Sequence, residues 1–101
     1  MDAGPSSGWQ SPAHSPEEII EAYLTTVRPI AGVRRGWVQV SGNDVHFDTE
    51  VEDNSETERQ LYRAELELID RFGPDCLSFD VYRLTAVPEH LAATSRLVLT
   101  T

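Results

Sequence analysis

Three side chains of this sequence have the types and spacing that metal chemistry needs. His46 and Asp48 are separated by one residue, so on a strand both point to the same side, about 7 Å apart. Asp80 joins them if its own strand lies close enough. One imidazole with two carboxylates suits a divalent cation, since imidazole favours Zn, Fe or Mn and carboxylates favour harder ions. A metal-binding or small hydrolase-like enzyme using His46, Asp48 and Asp80 is therefore one reading. No second imidazole completes the set, because His14 and His90 fall outside this face. The plainer reading is a solvated strand face on which alternate residues are polar because they meet water. No cofactor is expected.

Other catalytic chemistry finds less support. Cys76 opens a strand after Pro74-Asp75, and a lone cysteine in that place is usually a small buried hydrophobe. Gly32 and Gly36 flank Arg34 and Arg35 without the spacing of a phosphate-binding loop. Asp44, His46, Asp48 and Glu50 lack the glycine and the twelfth-position glutamate of a calcium loop. The leading expectation is a non-enzymatic protein-interaction domain, adaptor or regulatory in kind.

The elements that must position these residues are well punctuated. Ser15 caps a helix over 16–28, with Pro16 in its first turn and Glu18 at the capping-box position. Ile19, Ile20, Tyr23, Leu24 and Val27 share its apolar face, and Pro29 ends it. A hairpin follows, turning at Gly42-Asn43. That turn pairs Ser41 with Asp44, Val40 with Val45, Gln39 with His46, Val38 with Phe47, Trp37 with Asp48 and Arg35 with Glu50. Val38, Val40, Val45 and Phe47 then share one face, and Trp37, Gln39, His46, Asp48 and Glu50 the other. A slip of one residue would scramble that separation.

Ser55-Glu56-Thr57-Glu58 reads as a second capping box, and Phe72-Gly73-Pro74 as a helix end. Between them Leu61, Ala64, Glu65, Leu68 and Phe72 form a seam that Leu66 and Ile69 widen. Leu77, Phe79 and Val81 alternate with Ser78, Asp80 and Tyr82, predicting a strand over 76–84. Pro88 begins a short helical turn, and Arg96-Leu97-Val98-Leu99 has the makings of a short edge strand. The order predicts an α+β chain: a two-layer α/β sandwich, helix-hairpin-helix-strand, built on a split β-α-β unit. The crossover rule makes the third strand parallel to the second, most simply beside the first. Residues 1–14, rich in Gly, Pro and Ser, read as a flexible tail bearing Trp9, and 15–101 as one domain.

On this reading the open sheet face presents Trp37, Gln39, His46, Asp48 and Tyr82 together. Large aromatics on a wet face call for cover, by the tail, the C-terminal segment, a second subunit or a partner. Aromatics ringed by charge resemble an interface core and rim. The expected partner is a protein, or a second copy, since two-fold dimers dominate soluble assemblies.

Charge adds a further reading. The 101 residues carry 17 acids against 8 bases, a net charge of -9. That excess argues against nucleic-acid binding and against anionic membranes. Six acids, Asp48, Glu50, Glu52, Asp53, Glu56 and Glu58, precede Arg59. Several of them simply complement a helix start. Together they also outline an acidic patch for a basic protein, as in an antitoxin, an immunity protein or a nucleic-acid mimic. All eight bases are Arg, which points to a GC-rich bacterial source. The single cysteine and the lack of a signal-peptide pattern make the cytoplasm the expected compartment.

Overall fold

Ser15 opens the first helix as its position predicts: the Glu18 N–H donates to Ser15 Oγ at 3.2 Å. The computed structural model describes residues 14–101, so Trp9 and nearly all of the expected tail lie outside the described residues. Helix α1 (Pro16–Val27) buries Ile19, Ile20, Ala22, Tyr23 and Val27. It stops two residues short of Pro29. Arg28, the C-cap, still has helical backbone at φ -55° and ψ -38°, and Pro29 has no N–H with which to continue the helix.

The hairpin has the register that its turn dictates. Strands β1 (Val33–Ser41) and β2 (Asp44–Val51) pair antiparallel, with Val40 opposite Val45, Val38 opposite Phe47, Trp37 opposite Asp48 and Arg35 opposite Glu50. Gly42 takes a φ of 62° at the bend, a conformation that L side chains resist.

Helix α2 (Ser55–Phe72) starts differently from the expected capping box. Asn54 is the cap, its Oδ1 accepting from the N–H groups of Glu56 at 2.8 Å and Thr57 at 3.3 Å. An Asn cap is as effective as Ser. It leaves the Thr57 hydroxyl free to donate to Ala31 O at 2.8 Å, which ties α2 to the loop before β1. Leu66 does not widen the seam but is exposed, as is Tyr62. Two residues along from Ala64 is more than half a helical turn, which carries Leu66 to the outer side.

Strand β3 (Leu77–Arg83), the short helix α3 (Leu91–Thr94) and strand β4 (Arg96–Thr100) complete the chain. The sheet order is β3-β2-β1-β4. Strand β3 is parallel to β2, as expected, but lies directly beside it, with Phe47 opposite Phe79 and Asp48 opposite Asp80. The unit is therefore a direct rather than a split β-α-β, because antiparallel β4 occupies the place beside β1.

Both helices cover one sheet face, giving a two-layer α/β sandwich with its main core between them. Tyr23 stacks on Phe47 at 4.0 Å between ring centroids, and its hydroxyl shares a 2.7 Å hydrogen bond with Thr49. Gly36 allows this approach, since a Cβ there would collide with the Tyr23 hydroxyl. Val40, expected on the core face, is exposed, lining an open hollow with Pro16 and Glu17 at the start of α1. No helix among the described residues is long and apolar enough to cross a membrane.

Candidate functional site

The second sheet face is where the polar residues of β2 and β3 converge. Parallel pairing sets His46 beside Ser78 and Asp48 beside Asp80. His46 Nε2 lies 3.2 Å from Asp48 Oδ1 and 3.2 Å from Asp80 Oδ2. The other ring nitrogen, Nδ1, lies 2.7 Å from Ser78 Oγ. One donor atom from each of His46, Asp48 and Asp80 falls within 4.8 Å of the others. The three expected ligands are thus brought together, the Asp48 side chain only 3% exposed and that of Asp80 58% exposed. Tyr82 is half-buried beside them. Its hydroxyl pKa is raised, first by desolvation and then by the Asp48 and Asp80 carboxylates.

The rest of this face is only partly open. Trp37 is 4% exposed, which corrects its expected place in an exposed aromatic patch. The cover is the chain between β3 and α3: Leu84, Val87, Pro88 and Leu91 line a hollow of about 270 Å³ with Arg35 and Trp37. Leu91 is buried there, away from the main core. The Arg35 guanidinium lies 4.9 Å from the Trp37 ring centroid. Its Nε and Nη2 also donate to Glu50 at 2.6 and 2.9 Å, the two-point fork that suits a carboxylate. Of the five residues expected to form an interface, Gln39 is exposed, His46 and Tyr82 are half-buried, and Trp37 and Asp48 are buried.

The acidic run does not form one bare patch. Asp48 faces His46, and Glu50 is held by Arg35. Glu52 meets Arg34 at 2.7 Å, and Glu56 pairs with Arg59 and accepts from Gln60 at 2.9 Å. Gln60 first, then Arg59, lowers the Glu56 pKa. Asp53 and Glu58 flank Arg83 at 3.4 and 3.1 Å. Every acid of the run faces a partner, and Arg34, Arg35, Arg59 and Arg83 compensate much of the charge of Glu50 to Glu58 locally.

A titratable group that the residue pattern did not flag lies in the main core. Glu65, 9% exposed, sits in the α2 seam with Oε2 lacking a hydrogen-bond partner among the described residues. Burial, with a smaller push from the Asp80 carboxylate, raises its pKa to about 7. Its place among the seam residues Leu61, Ala64 and Leu68 was the available signal. Cys76 is half-buried, its thiol donating weakly to Phe72 O at 3.8 Å.

No family model and no curated protein matches this sequence. Solved structures do share its fold. A chain of a crystal structure from Shewanella oneidensis is similar with a TM-score of 0.59 at 8% identity, over 86% of this chain and 74% of that one. A chain of the Shewanella oneidensis complex between a tri-AMPylated HEPN toxin and MNT antitoxin is similar with a TM-score of 0.57 at 12% identity, over the same shares. At such identities the likeness establishes a common α+β fold and nothing finer.

Proposed function

We propose that this chain acts by binding a protein partner, as the antitoxin member of a toxin–antitoxin pair. The reading is carried by one observation: its fold is shared, over 86% of the chain, with a chain of a complex between a HEPN toxin and MNT antitoxin. The sequence supports it from another side, since the excess of 17 acids over 8 bases suits capture of a basic protein. Because Glu50 to Glu58 are paired with arginines, that charge acts as a general field rather than as a discrete acidic plug. The outer side of α2, with Tyr62 and Leu66 exposed one turn apart, offers apolar contact of the kind interfaces enclose.

Co-expression with the product of each adjacent gene in the source genome tests this. One neighbour should arrest growth when expressed alone, and this chain should restore growth and co-elute with it from a size-exclusion column. Neighbours that are harmless, or whose toxicity this chain leaves untouched, would remove the antitoxin reading.

A further inference from the structure

We propose that His46, Asp48 and Asp80 form a binding site for one transition-metal dication, Zn²⁺ or Mn²⁺, on the second face of the sheet. The site stands independently of the antitoxin reading, because it rests on donor geometry alone. A metal with ligands at about 2.1 Å has neighbouring donors about 3.0 Å apart in an octahedron and about 3.4 Å apart in a tetrahedron. Both separations from His46 Nε2, to Asp48 Oδ1 and to Asp80 Oδ2, are 3.2 Å. The two separations from Nε2 thus match a coordination shell, while the three donors as a set lie within 4.8 Å of one another, so the exposed Asp80 carboxylate has to swing inward to close on one ion.

The far side of the imidazole carries a second, separate indication. A ligating histidine almost always has its other ring nitrogen held by a polar group that sets tautomer and orientation. Ser78 Oγ, 2.7 Å from His46 Nδ1, is in that place. In the tautomer whose Nδ1–H donates to Ser78, the Nε2 lone pair lies on the side of both carboxylates and is available to a cation; in the other tautomer Nε2–H is the hydrogen-bond donor to Asp48.

Imidazole nitrogen beside two carboxylate oxygens selects Zn²⁺ or Mn²⁺ over Mg²⁺ or Ca²⁺, which favour all-oxygen shells. Asp48 is buried and rigidly placed, whereas Asp80 is exposed. Three protein ligands leave coordination positions for water or a ligand oxygen on the Asp80 side, the pattern of an open rather than a structural metal site.

Isothermal titration of the tag-free, chelator-treated full chain with Zn²⁺ and with Mn²⁺ tests the site. One equivalent should bind, and Mg²⁺ should not compete. Asp80→Asn and His46→Ala should each weaken binding at least about 10-fold, and Ser78→Ala should weaken it by about 10-fold through the lost orientation of the ring. The His14→Ala/His90→Ala double variant should bind as the parent does. Far-UV circular dichroism of each variant separates lost affinity from lost fold. Co²⁺ absorption of the parent reads the ligand set directly. No binding of Zn²⁺ or Mn²⁺ up to about 1 mM, or binding that follows His14 or His90 instead, overturns the proposal. So does affinity unchanged in folded Asp80→Asn.

Discussion

Replacing Glu65 by Gln removes a charge that folding has to bury. The carboxyl sits in the seam of α2, its Oε2 unpartnered, and burial raises its pKa from 4.5 to about 7. Below pH 4.5 both folded and unfolded chains hold the proton, and Glu65 imposes no charge penalty. Between 4.5 and about 7 the unfolded chain ionises first, so stability falls as pH rises. Above that window both states are ionised and the penalty is constant. At about 1.4 kcal/mol per pH unit, the gap amounts to about 3 kcal/mol. Gln keeps the volume and polarity while abolishing the ionisation. Urea unfolding of parent and variant from pH 4 to 8.5 should show near-equal stability at the acid end. The variant should gain up to about 3 kcal/mol by pH 8. The difference cancels the titration of the acids that do not interact with Glu65. A difference that stays flat with pH would show that Glu65 reaches water and that its carboxyl ionises normally.

Three further outcomes follow from the packing. Trp37→Ala empties a site closed by Leu84 and Leu91 and should cost about 3–5 kcal/mol in urea unfolding; an unchanged midpoint would mean that the segment does not cover the ring. Gly36→Ala drives a Cβ into the Tyr23 hydroxyl and should cost about 1–3 kcal/mol, with loss of near-ultraviolet dichroism from the displaced tyrosine. Asn54→Ala removes the acceptor for two N–H groups at the start of α2 and should cost about 1 kcal/mol, whereas Ser55→Ala should leave the thermal midpoint within error.

The hairpin was legible from the Ser41–Asp44 pair to the Arg35–Glu50 pair because a two-residue turn and two alternating strands each specify the same register; the shift beyond it that pairs Val33 with Val51 was not. The neighbour of β3 was not, since the alternation of Leu77, Phe79 and Val81 is identical whichever strand lies beside it. The crossover rule constrains direction, not adjacency. That adjacency decides the site: the spacing of His46 and Asp48 was readable, but Asp80 joins them only because β3 flanks β2. Trp37 was misplaced for a related reason. Binary pattern assigns it to the wet face, and its cover comes from Leu84, Val87, Pro88 and Leu91, a stretch with no helical or strand period. The partners of the acidic run, Arg34 and Arg83, are distant in sequence and meet it only after folding.

The position of β4 sets an order of events. The β1–β2 hairpin closes over two residues, whereas β1 and β4 bring together residues as distant as Arg35 and Thr100. Closing so long a loop costs entropy before any contact repays it, so non-local pairing slows folding. The outer strand and the segment sealing Trp37 then close after the hairpin and helices have formed. In a Trp9→Phe background, stopped-flow refolding should show the Trp37 fluorescence change trailing the helical signal, and coincident phases would contradict this sequence. Until that step the inner edge of β1 stays unpaired, which makes the late intermediate the species most prone to self-association.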